Sequence, residues 1–246
     1  MDRMLYVAMT GAKETLRAQT VNNHNLANVS TTGFRADLAA FQSRAVDGTG
    51  YASRVYATNG TVGWDSNSGA MLSTGRDLDV AINGPGWIAI QGPDGKEAYT
   101  RAGNLHVDST GQLMTASGRP VLGDGGPINI PPYTSIFFAR DGSISIVAQG
   151  QTPDTTSTVA RVKLVNPAEA DIERGDDGLF RMKDGSEAPP DAAVQVSSGE
   201  LESSNVNAAA AMVNMIELAR QFEMQVKAIR TAEENAAAGA QLMRLG

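Results

Sequence analysis

From Met4 to about Ala27, apolar positions recur in alternating steps of four and three. They run Leu5, Met9, Ala12 and Leu16, with Gln19, Asn23 and Leu26 continuing the register. Such a seven-residue repeat predicts a helix about 35 Å long with a coiled-coil seam. Near the other end, Met212, Met215, Ala219, Phe222, Val226 and Ile229 follow the same rhythm, extended by Glu233, Ala236, Ala240 and Met243. Alanine runs at 208–211 and 236–238 favour helix, and Ser203, Ser204 or Asn205 is the expected cap. Glu223 and Lys227 stand four apart in the favourable order, worth about 0.3–0.5 kcal/mol.

Between these ends the pattern changes. Residues 37–200 hold every proline and most glycines, and short apolar runs alternate with turn dipeptides. In "WIAIQ", Trp87, Ala89 and Gln91 share one strand face, and Ile88 and Ile90 share the other. Pro93-Asp94-Gly95, Ser109-Thr110-Gly111 and Ser117-Gly118 fall where hairpin turns belong. Further strands are expected at "SIFFA", "SISIV", "VARVKLV" and "LFRM". The expected fold is therefore mixed: N- and C-terminal α-helices forming a coiled-coil core domain, plus a central, mostly antiparallel all-β domain. The expected divisions are 1–35 for the first helix, 36–75 for an extended connector, 76–200 for the β domain and 201–246 for the second helix. Residues 46–70 read as a long loop or irregular hairpin.

One stretch resists the helical pattern. "QTVNNHNLANVSTTGFRAD", residues 19–37, places Asn22, Asn23, Asn25 and Asn28 in the last turns of the first helix, although asparagine competes with the backbone for hydrogen bonds. A polar residue on a seam sacrifices stability but fixes register. Asn23 falls on the seam, with Asn22 and Asn25 beside it. Asn28 reads as an end signal, Gly33 as the turn that stops the helix, and Phe34 as a residue packing back after it.

Composition narrows the function. The 246 residues carry a net charge of −7, concentrated in the middle of the chain. No basic stripe with interleaved aromatics is present, which argues against nucleic acid and membrane-surface partners. The chain has no cysteine, so thiol catalysis and cysteine-ligated metals are excluded. The opening "MDRMLYVAMTGAKETLRAQ" has no continuous apolar core like that of a secretory signal, and no run of 18 apolar residues suggests a membrane span. Two helical seams at opposite ends of one chain need covering. Side-by-side packing of many copies would cover them, which predicts a polymer.

Catalytic candidates are few. Asp77 and Asp79 in "GRDLDVAI" would lie about 6.5–7 Å apart on one strand face, a spacing that a glycan hydrolase could use. The alternative is that Asp77 opens a strand and Asp79 faces solvent or bonds a turn. His24 and His106 are isolated. "RDGS" at 140–143 and "GDDG" at 175–178 read as turns, because the remaining oxygen ligands of a calcium loop are missing. "GDGG" at 123–126 is no nucleotide motif. Neither cofactor nor metal is expected.

The residues carry a resemblance. "NNHNLANVSTTGF" resembles the N-terminal signature of bacterial flagellar rod and hook proteins, in which N-L-A-N precedes a T-x-G-F/Y turn. "SNVNAAAAMVNMIELARQFEMQVKAIRTAEE" resembles the C-terminal signature of that family, with S-N-V-N, M-I and R-x-[YF]-E. The middle "TGRDLDVAINGPGWIAI…AYTRAGNLHVDSTGQLMTASGRPVLG" resembles its shared β segment. One departure is "AAAAM", where many relatives carry an acidic residue before the methionine. The opening and the length resemble proximal-rod subunits most, with the distal-rod subunit as the alternative. The resemblance implies a non-enzymatic subunit, exported unfolded through the flagellar type III apparatus without a cleaved signal. It would polymerise into the periplasmic rod that carries torque to the hook. The implied partners are inner proximal-rod subunits, the distal-rod subunit and other copies of the chain, with the terminal helices ordering on assembly. The expected assembly interface comprises both seams together with Asn28, Gly33, Phe34, Asn205, Arg220 and Glu223.

Overall fold

In the computed structural model, which describes residues 3–39, 41–45, 55–59, 63–152 and 155–244, α1 spans Arg3–Ala27 and α2 spans Ala208–Arg244. The chain divides into two units. The helical unit holds α1, α2 and residues 35–65, and the β unit holds residues 30–34 and 66–205. Among the described residues, no helix is long and apolar enough to cross a membrane.

In the helical unit, α1 and α2 pack against each other. A Cβ at Gly11 would lie 3.0 Å from the Gln225 carboxamide carbon, and the Asn22 amide reaches the Ala211 carbonyl. Position 11 thus meets 225 while 22 meets 211, so the helices run antiparallel. The expected coiled coil is not what forms. The buried side chains of α1 are Ala8, Ala12, Glu14, Thr15 and Ala18, whereas Met9 and Leu16 on the predicted seam are 51% and 47% exposed. A coiled coil needs large knobs in facing holes. The apolar side chains that α1 buries are small, so its predicted seam does not supply those knobs.

Two short antiparallel ladders complete this unit: Asp37–Leu38 with Gly63–Trp64, and Phe41–Ala45 with Val55–Asn59. Of the segment 46–70 read as a loop or irregular hairpin, 46–54 and 60–62 lie outside the described residues.

All strand pairs of the β unit are antiparallel. Its largest sheet has five strands in the order Leu164–Val165, Trp87–Gln91, Glu97–Thr100, Phe180–Met182 and Ile172–Arg174. A three-stranded sheet orders Tyr133–Phe138, Ser143–Ala148 and Ser157–Arg161, and two-stranded ribbons surround both. Ser143–Ala148 shows the alternation its sequence predicts over Ser143–Ile146, with Ile144 and Ile146 buried and the two serines half-buried, before Val147 is buried as well. Trp87–Gln91 does not show two unlike faces, because Trp87, Ile88, Ala89 and Ile90 are all buried. Ile88 and Ile90 join the main apolar cluster with Leu105, Leu113, Val121 and Ile146. On the other face Trp87 stacks on Phe180, ring centroids 4.3 Å apart.

Tyr99 is fully buried in this sheet, and its hydroxyl accepts the Ala188 N–H at 2.7 Å. Burial, reinforced by the nearby Glu97 and Glu187 carboxylates, pushes the phenol well above its usual range, although the Ala188 bond works the other way. The neutral phenol is therefore the folded form. Its contribution is fully present below the unfolded value of about 10 and lost as pH rises through the higher folded value. Tyr99→Phe leaves a buried N–H without its acceptor and should cost about 1–3 kcal/mol in urea denaturation at pH 7. Wild type should also lose stability above about pH 10, a dependence that the phenylalanine variant should weaken.

Candidate functional site

The acidic candidates do not converge. Asp77 is exposed in a turn, while Asp79 is buried with Arg76 Nη1 at 3.7 Å from its carboxylate. Asp79 neither faces solvent nor shares a strand face with Asp77, because the turn holding Asp77 ends where the strand begins. In "RDGS", Asp141 accepts both the N–H and the hydroxyl of Ser143, and these bonds hold its pKa below the usual carboxylate range. In "GDDG", Asp177 takes two bonds from the Arg181 guanidinium, which holds its carboxyl low as well. "GDGG" forms the turn between Leu122–Gly123 and Gly126–Pro127. His106 is exposed on a strand. Among the described residues, no group of three or more His, Asp and Glu side chains is placed to hold a metal.

The terminal helices carry more. On α2, Ala211 and Ala232 are buried, and Met215, Ala219, Phe222, Val226 and Ile229 are half-buried between them. Met212 is 55% exposed, and Arg220, Glu223, Glu233, Ala236 and Ala240 also face solvent. The side chain of Met243 lies outside the described residues. No ion pair joins Glu223 to Lys227 among the described residues. On α1, Leu5, Gln19 and Leu26 are half-buried and Asn23 is exposed.

The asparagines have separate partners. Asn22 donates to the Ala211 carbonyl at 2.8 Å, so one amide crosses between the helices. Asn25 donates to the Asp37 carbonyl and accepts the Asp37 N–H, both at 2.8 Å. One side-chain amide thus satisfies both backbone groups of a strand residue, as a neighbouring strand would. His24 Nδ1 lies 2.7 Å from the Asp37 carboxylate. The Asn28 side chain donates to the His24 carbonyl at 2.9 Å, which also accepts the Asn28 N–H at 3.2 Å. A cleft of about 380 Å³ lies beside them, its walls including Val21, Asn25, Leu38 and Leu218.

Gly33, Phe34 and Asn205 belong to the β unit. Gly33 has φ +67, and a Cβ there would lie 2.3 Å from the Arg101 carbonyl carbon, so both conformation and space demand glycine. Phe34 does not return to α1; it is buried beneath the Arg174 guanidinium, 4.5 Å from the ring centroid. Asn205 is not the α2 cap, because it stands three residues before Ala208, the first helical residue, and its amide donates to the Asn67 carbonyl instead. The cap is Asn207, whose Oδ1 accepts the Ala210 N–H at 3.0 Å. It stands one residue before the first helical position, so its place in "SNVNAAAA" was the available signal.

These features leave large apolar side chains turned outward along the terminal helices. Comparison with known proteins gives the family. Residues 81–152 match the family described as the flagellar hook protein FlgE/F/G D1 domain, and residues 197–242 match the flagellar basal body rod FlgEFG protein C-terminal family. The chain is 45% identical to the flagellar basal-body rod protein FlgF of Escherichia coli and 44% identical to that of Salmonella typhimurium, each over 100% of both chains. It is 34% identical to the flagellar basal-body rod protein FlgG of Bacillus subtilis, over 95% of this chain and 96% of that one. The chain belongs to the flagellar basal-body rod protein family.

Replacing Asn207 by alanine should destabilise α2 by about 0.5–2 kcal/mol, read as faster amide exchange over 208–211. Asn205→Ala should leave exchange at those positions unchanged.

Proposed function

We propose that this chain is a proximal-rod subunit that assembles through the outward faces of α1 and α2. The observation that carries this reading is where the large apolar side chains are left. Tyr6, Val7, Met9 and Leu16 on α1, and Met212, Val213, Ile216 and Met224 on α2, are each at least 40% exposed. Large apolar side chains left exposed along both helices point to an association site. On α1 the buried apolar residues are small, and on both helices a second set of large apolar side chains is left for neighbours. The assembly partners are other copies of this chain and adjoining rod proteins, including a FlgG-type distal subunit. The seam, asparagine, turn and signature positions inferred from the sequence belong to this assembly role, either in the contact itself or in shaping it.

The rod places the chain in the periplasmic part of the basal body, reached by the flagellar export route without a cleaved signal. A shaft that transmits torque needs close-packed contacts, since protein interiors are only slightly compressible. No catalytic step is required of it.

The test is incorporation. Leu16→Asp and Ile216→Asp each place a charge on an outward face and leave the buried faces untouched. In cells lacking the native gene, either variant should reduce the chain recovered in purified basal bodies at least about tenfold, with matching loss of swimming, because central apolar anchors dominate interface energy. Normal recovery of both variants would overturn this assembly surface.

A further inference from the structure

The chain crosses the border of the β unit at residues 30, 34, 66 and 205. The segments just inside those crossings, remote in sequence, converge on one buried carboxylate. Glu202 is 1% exposed. Its Oε2 accepts from Arg101 Nη1 at 2.9 Å, and its Oε1 accepts from the Gly69 N–H at 3.0 Å. Its backbone carbonyl accepts from the Gly33 N–H at 2.8 Å. Arg101, 5% exposed, donates its other terminal nitrogen to the Gly84 carbonyl at 2.7 Å and lies 5.5 Å from the Trp87 ring centroid. Backbone bonds stitch the same three segments together: Asn205 N–H to Phe34 O at 3.3 Å, and Ser203 N–H to Ala70 O at 2.8 Å. The Asn205 amide adds a bond to Asn67 O at 2.9 Å. Packing there is close enough that a Cβ on Gly69 would lie 2.0 Å from the Ser203 carbonyl oxygen.

We infer that Glu202, held by Arg101, is the pin of a clasp that fastens residues 30–34, 66–70 and 202–205 as one cooperative group, separable from the apolar core of the β unit. A buried charge is stable only while paired and hydrogen-bonded. Losing either partner therefore unfastens all three segments at once. Core residues such as Ile90, Ile144 and Ile146 are held by apolar contacts in which Glu202 has no part. The clasp's mechanical meaning rests on the rod reading.

The experiment is hydrogen–deuterium exchange on the full chain, comparing wild type with Glu202→Gln. Glutamine can still accept from Gly69 but offers Arg101 no charge. Amides at Gly33, Gly69, Ser203 and Asn205 should exchange faster together, on the order of 100-fold, while peptides over 87–91 and 143–148 keep their wild-type rates. Acceleration at Gly69 alone, no acceleration, or an equal increase across the core would overturn the inference. Should Glu202→Gln fail to fold, Arg101→Lys supplies the same readout. It keeps the charge but loses the forked geometry, and the three segments should again loosen together ahead of the core. Exchange is a property of the isolated chain, so its result stands apart from the incorporation test that decides the rod reading.

Discussion

A helix that meets its neighbour through alanine, threonine and glycine can approach closely but removes little of its own apolar area from water, and α1 is organised by that constraint. At about 25 cal/mol per Å², a face of Ala8, Ala12, Thr15 and Ala18 supplies far less than a row of leucines would. Specific polar bonds therefore do much of the fixing. Asn22 ties α1 to a carbonyl of α2, and Asn25 ties it to Asp37. Because α1 turns its small residues inward, Met9 and Leu16 are left outside, and on α2 Met212, Ile216 and Met224 are left outside while Met215, Phe222, Val226 and Ile229 are half-buried. A surface suited to association is the direct complement of the internal contact.

How much of this could be read from the chain depended on whether the signal was local. Ser143–Ala148 was legible because alternation of isoleucine and serine is itself the burial pattern. Trp87–Gln91 was legible as a strand but not as a doubly buried one, since the cover over its second face comes from Phe180, nearly a hundred residues away. The helices were legible and the phase of α1 was not. Two stripes share Ala12, one through Leu5, Met9 and Leu16 and one through Ala8, Thr15 and Ala18, and hydrophobicity alone selects the first. Close packing selected the second.

The asparagines show the same limit at the level of single residues. Their density marked something unusual, but their partners, Ala211 and Asp37, could not be inferred without the fold. The α2 cap was missed by two residues because Asn205 and Asn207 are equally good caps in isolation, and only the point where the helix begins, at Ala208, separates them. Among the acidic residues, "RDGS" and "GDDG" were readable as turns because an aspartate two residues before a free N–H satisfies it locally. The burial of Asp79 carried no such sign.

Asn25 has a consequence for what can stand at its position. Its amide works in both directions at Asp37, giving a hydrogen to the carbonyl and receiving one from the N–H. An aspartate there would exchange one small group for another of nearly the same size. The acid could still receive from the Asp37 N–H but would have nothing to give the carbonyl. It would also bring a second negative charge to the residue whose carboxylate His24 already serves. A substitution almost invisible in volume would thus turn a matched contact into a mismatched one.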